Sequence, residues 1–187
     1  MTIYCPLRLD EHYNNNGFSY PGTGNIGNFT TFGSSYPADE LADQGNMQWK
    51  DVPFVFPDST QRFNNIELES QRIQVPDGEY TALYILGAAD NGSYHEFIYF
   101  ERNEERVGKA SLALTNWTET TAKFKEEMMH RFRGMYTQKG ALLTSVHPII
   151  WFQQIQLEEA LCFDTMIMSD NPCMHIFALT LGKERSE

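Results

Sequence analysis

The sequence predicts an all-β protein, an antiparallel β-sandwich or barrel, on three observations. Short apolar runs are interrupted at fairly regular intervals by Gly, Pro, Asn and Asp, the punctuation of short strands and turns. Asp90-Asn91-Gly92 stands between two apolar runs, and a two-residue turn with positive φ at both central positions favours such a step. Hydrophobic residues make up 41% and aromatics 13% of the chain, too much apolar surface for a disordered polymer. At 187 residues, one domain spanning 1–187 is the economical expectation.

The elements follow in order. Residues 10–46 are polar, and Asn14-Asn15-Asn16-Gly17, Gly22-Thr23-Gly24-Asn25 and Gly33-Ser34-Ser35 break any period, so a long ordered loop segment is expected there. Val52, Phe54 and Phe56 alternate with Pro53 and Val55, a strand that Pro53 would place at an edge. Ile66 to Val75 is split by Glu69-Ser70 and stops at Pro76-Asp77-Gly78, a turn signal. Tyr80 to Ala88 is almost wholly apolar, as expected of a central strand buried on both faces. The Asp90-Asn91-Gly92 step then predicts a hairpin with Tyr94–Phe100. Asn103-Glu104-Glu105-Arg106 predicts a second turn before Val107, Ala110, Leu112 and Leu114, completing a three-stranded meander. Residues 118–140 admit a helix, through Phe124, Met128 and Phe132, or a solvated strand. Three further strands are predicted over Pro148–Leu157, Leu161–Met168 and Met174–Leu181.

Charge narrows the partners. Against 25 acidic residues stand 14 basic ones, a net charge of −11, whose field repels phosphate backbones and anionic lipid, so neither nucleic acid nor membrane is an expected partner. The N-terminus lacks a basic stretch followed by an apolar run, which points to the cytoplasm, or to an extracellular site if the domain was trimmed from an exported protein. Cys5, Cys162 and Cys173 form no C-x-x-C pair and read as reduced, packed thiols. The five histidines are scattered without metal-ligand spacing, and no cofactor is expected. Nucleophile signatures are absent, and Gly22-Thr23-Gly24-Asn25-Ile26-Gly27 neither follows a predicted strand nor opens a helix, so it reads as a loop and not a dinucleotide fingerprint.

Aromatic and amide residues in polar segments remain. Sugars present apolar ring faces fringed by hydroxyls, and a site for them combines flat aromatic platforms with planar amide or guanidinium groups. Trp49, Asn64, Asn65, Trp117, His130 and Arg131 are the expected ligand contacts, with core packing the alternative for the tryptophans and a turn or buried pair the alternative for the asparagines. On a strand, Arg131 and Arg133 share a face opposite His130 and Phe132, free to clamp an acidic sugar or to pair with surface carboxylates.

Six motifs in order carry a resemblance: Asn14-Asn15-Asn16-Gly17-Phe18-Ser19-Tyr20, Val52-Pro53-Phe54-Val55-Phe56-Pro57, Phe63-Asn64-Asn65-Ile66, Val75-Pro76-Asp77-Gly78-Glu79-Tyr80, Tyr84-Ile85-Leu86-Gly87-Ala88-Ala89 and the run Asp170 to Leu181. Together they resemble the galactose-binding-like jelly-roll modules attached to bacterial glycoside hydrolases. The resemblance implies a non-catalytic carbohydrate-binding sandwich of two antiparallel sheets, sometimes with a structural calcium. It places the family's Asn-Asn pair on Asn64 and Asn65, its strand-ending tryptophan on Trp117 and its His-Arg on His130 and Arg131, and it favours a strand through 122–133. The charged stretch Glu101–Arg106 and the apolar 137–147 depart from that pattern. Two other functions fit the same scaffold. One is a small polysaccharide lyase or glycosidase using His130 with Arg131 or Arg133; the other is a homo-oligomeric assembly module.

Overall fold

The structure, a computed structural model, describes residues 1–20, 22–41, 45–58 and 61–184; Pro21, Ala42, Asp43 and Gln44 of the expected loop segment lie outside them. The strands in chain order are β1 (Thr2–Pro6), β2 (Phe18–Ser19), β3 (Tyr36–Pro37), β4 (Asn46–Trp49), β5 (Val52–Val55), β6 (Ile66–Glu69), β7 (Arg72–Ala89), β8 (Tyr94–Arg102), β9 (Glu105–Leu114), β10 (Glu127–Arg131), β11 (Met135–Tyr136), β12 (Leu142–Leu143), β13 (Ile149–Ile167) and β14 (Asp170–Glu184). One eight-stranded sheet runs β1-β14-β7-β13-β8-β9, with β6 added on β14 and β10 on β13. The two separate sheets implied by the resemblance are therefore one continuous sheet.

That sheet encloses its own core. Along β7, Leu83 and Ile85 face one apolar cluster with Ile98 and Phe100 of β8, Leu112 and Leu114 of β9, and Leu179 and Leu181 of β14. Ala82, Tyr84, Leu86 and Ala88, the alternate residues, face a second cluster. Leu114 of β9 lies against Gly87 of β7, where an added Cβ would meet its Cδ1 at 3.2 Å, although β9 and β7 are not sheet neighbours. The β8–β9 end of the sheet thus folds back over β7 across the first cluster, which makes the sandwich.

The second cluster is aromatic and is covered by irregular chain. Phe18, Phe29, Tyr36, Phe54 and Phe56 come from the N-terminal segment, and Trp117 and Phe132 from the segment after β9. The described residues of the expected loop segment are held by polar anchors. Asn15 bridges to Asn65, β2 pairs β3 in parallel, and the Tyr13 hydroxyl donates to the Phe177 carbonyl at 2.9 Å.

Three expectations need correction, and one left open is decided. Pro76-Asp77-Gly78 does not turn the chain: β7 runs through it, and β13 accommodates it with a register shift between Phe163 and Thr165, so the residues become a bend in a long strand. The Asn91-Gly92 turn exists, with φ of 53° and 145°, yet β7 and β8 do not pair. The end of β7 is bound elsewhere, Ala89 N–H donating to Thr115 at 3.0 Å and Asp90 N–H to Cys173 at 2.9 Å, so the turn passes between layers and only β8 and β9 form a hairpin. Pro148–Leu157 and Leu161–Met168 are a single strand, β13, whose register shifts between Gln156 and Leu161. Within 118–140 no helix forms; β10 is a short strand over Glu127–Arg131. The cysteines are free as expected but only half-buried. Among the described residues no helix is long and apolar enough to cross a membrane.

Candidate functional site: a groove between two unpaired strand edges

The six expected contacts do not share one open surface. Trp117 is 4% exposed, edge-on to Tyr36 at 4.9 Å and tilted against Phe29 at 5.0 Å, so the ring is core and not a platform. Only Thr115 and Asn116 separate it from β9, and its backbone bonds at 2.7 Å to Ala89 and Ile149 draw it inward. Asn64 and Asn65 are fully buried. The Asn64 Oδ1 accepts from the Gly17 amide at 2.7 Å, and its Nδ2 donates to Asn16 Oδ1 at 3.0 Å. Asn65 donates to Asn15 Oδ1 at 3.0 Å and accepts from His175 Nδ1 at 2.9 Å. These amides pin the N-terminal loop to the sheet, satisfying groups that burial would otherwise strand. Trp49 is half-buried against the aromatic cluster, its indole N–H enclosed and making no hydrogen bond among the described residues.

His130 and Arg131 point apart, as strand alternation requires. The His130 ring packs edge-on to Phe132 at 4.5 Å, with Nε2 3.9 Å from Glu40, and burial, the larger influence, lowers its pKa against the opposing pull of Glu40. Arg131 is exposed. Arg133 donates to Asp39 at 2.6 Å and lies 3.4 Å from Glu40, so its guanidinium is engaged by surface carboxylates, the second of the two outcomes expected for it. Among the described residues no three His, Cys, Asp or Glu side chains gather as a metal site.

A different place is open. A groove of about 470 Å³ lies between β9, along 107–111, and the irregular middle of β13, along 155–161. Both walls are strand edges. Among the described residues β9 pairs only with β8; β13 pairs on that side with β10 over 149–152 and with β8 over 165–167, leaving Gln153 to Asp164 without a ladder there. The gap is spanned at one end by a side chain, the Ala113 amide donating to Gln153 Oε1 at 3.2 Å. Ala110, Ile155 and Leu157 form an apolar floor continuous with the first core cluster. Gly108 admits this packing, since a Cβ there would meet Leu161 Cδ2 at 2.8 Å.

The polar fringe is mixed. Lys109 places its ammonium 4.0 Å from the Phe97 ring centroid, Arg106 sits 4.1 Å over Tyr99, and the Ser111 hydroxyl lies 2.6 Å from His95 Nε2. Glu158 and Glu159 are exposed on the opposite rim and make no ion pair among the described residues. These residues were not among the expected contacts. One signal for them was in the sequence: Glu158-Glu159-Ala160 interrupts a run otherwise rich in strand formers, which marks an irregularity inside a strand as readily as a loop between two.

Across residues 3–185 the chain matches the model of the AziU2-like beta-sandwich domain family, and it belongs to that family. No curated protein matches it.

Proposed function

We propose that this domain is a non-catalytic recognition module that receives an extended ligand in the groove between β9 and β13. One observation carries the reading: two strand edges without ladder partners face the same concavity above an apolar floor. Apolar lining with a few placed polar groups is the usual make-up of a binding site. His130, the base of the lyase alternative, lines neither this groove nor the smaller pocket beside Tyr20, and the nearby Arg133 is occupied by Asp39.

A glycan, the ligand implied by the galactose-binding-like resemblance, is the second reading, now moved to this groove. The ladder His95, Phe97 and Tyr99, with ring centroids 5.5 Å and 6.2 Å apart, offers half-exposed to exposed rings, and Gln156 and Glu158 offer hydroxyl partners. A sugar stacking there would compete with Lys109 and Arg106, which already occupy ring faces.

Chemical-shift mapping on isotope-labelled protein tests the site. Titrated with neutral and acidic oligosaccharides and with extended peptides, at least one class is expected to perturb amides 107–111 and 155–161 and to be recovered chemically unchanged. Perturbation centred on His130 and Arg131, or turnover that vanishes in His130→Ala, would refute it.

A further inference from the structure

Resting on the recognition reading, we propose that the occupant of the groove is an extended basic polypeptide segment that adds to β9 as a new strand. The direction of the β9 backbone is fixed by its bonds. The Ala113 amide points away from β8, toward Gln153. Phe97, which faces Ser111 in the β8–β9 ladder, spends its own N–H and C=O on Ser169 Oγ, at 3.3 Å and 2.7 Å, on the side away from β9. Phe97 and Ser111 are thus a pair that does not exchange backbone bonds, and strand alternation turns the N–H and C=O of Ser111 and Lys109 into the groove. Those groups repeat along the strand and match an extended polypeptide backbone, which would lie roughly 4.8 Å away.

Natural edges are blunted by proline, short length, cover, bulges or charged side chains; β9 is ten residues long with no proline, and its bulge and its two cations, Arg106 and Lys109, lie in its first half, both cations over rings of β8. Side chains alternating from an added strand would point either to the apolar floor of Ala110, Ile155 and Leu157 or to solvent beside the rim. On that rim Glu158 and Glu159 carry carboxylates with no ion-pair partner among the described residues, in a protein of net charge −11. A second copy of this chain would bring the same excess of negative charge, so the partner that complements the groove alternates apolar and basic residues.

The probe is a seven-residue peptide, Lys-Val-Lys-Val-Lys-Val-Lys, titrated by calorimetry and by amide chemical shifts into the full chain. Binding is expected at 107–111 and 155–161, weakened about tenfold or more when alternate backbone nitrogens of the peptide are methylated, since a methylated nitrogen cannot donate to a ladder. Ser111→Pro removes an amide that serves no ladder bond within the protein, so the fold is kept while peptide binding is lost; Ser111→Ala binds as wild type. Glu158→Gln with Glu159→Gln weakens binding several-fold and flattens its salt dependence. Equal binding by Ser111→Pro, or by the methylated peptide, overturns strand addition. Equal binding of a Glu-Val peptide overturns the basic partner, and concentration-dependent self-association abolished by Ser111→Pro assigns the edge to a second copy instead. Oligosaccharide shifts in the groove with no peptide response overturn this inference and leave the recognition reading standing; silence from both classes removes both.

Discussion

Replacing Trp117 with alanine separates a core residue from a surface platform by magnitude alone. The ring is 4% exposed, and an aromatic of this size buries roughly 150–250 Å², which at about 25 cal/mol per Å² is an upper figure of about 4–6 kcal/mol. Measured losses for Trp→Ala in cores, cavity cost included, run to about 3–5 kcal/mol. The contacts with Phe29 and Tyr36 place this ring in that class, because both are themselves enclosed and cannot collapse into the space left behind. With a urea dependence of about 2 kcal/mol per M, the midpoint of unfolding should fall by about 1.5–2.5 M, followed by circular dichroism. Trp117→Phe, which keeps a ring against Tyr36, should lose less. A loss below about 1 kcal/mol for the alanine variant is what an exposed residue would give, and it would refute the core assignment.

Three further outcomes follow from the same geometry. Asn65→Leu removes the acceptor of His175 Nδ1–H and the donor to Asn15 together, and should cost more than about 2 kcal/mol in urea unfolding, with enhanced proteolysis in 13–30 as the loop segment loosens. Gly87→Ala drives a Cβ to 2.6 Å from the His175 carbonyl at the centre of the sheet, so a loss of about 1–3 kcal/mol is expected, read as a lowered melting temperature; an unchanged value would contradict the close approach of β14 and β9 to β7. Burial holds the His130 pKa below 6.5 in the folded protein. The unfolded chain therefore takes up the proton first, and this contribution to stability, present above the unfolded value, is lost as pH falls below 6.5 through the folded value. Melting temperatures of wild type and His130→Gln should diverge with pH across that window, and parallel curves would show that the imidazole is not shielded.

Local signals were legible wherever local chemistry decides. The alternation of Val52 and Phe54, the break at Ser70, where φ is 60°, and the positive φ at Asn103 and Glu104 in the β8–β9 turn are each properties of a few neighbouring residues. Turn chemistry was sound even where pairing was not: Asn91-Gly92 turns the chain, but a turn sets only direction, and the bonds that claimed the end of β7 come from Thr115 and Cys173. The aromatic residues could not be sorted by sequence. Trp117 and Trp49 both stand among polar neighbours, and what seals one and leaves the other half-buried is the layer of chain that each meets only after folding.

The amino-acid order by itself determined the β class, the hairpin between β8 and β9, the polar, aperiodic character of the N-terminal segment and the apolar character of the central strand, because these depend on backbone preference and on side-chain alternation within one strand. Only the tertiary structure decided which strands are neighbours, that β7 and β13 run unbroken through their irregular stretches, and that β9 and β13 end up facing each other without a ladder between them. Strand pairing joins residues far apart in the chain through backbone groups that every residue carries, so no residue type announces which edge will be left open.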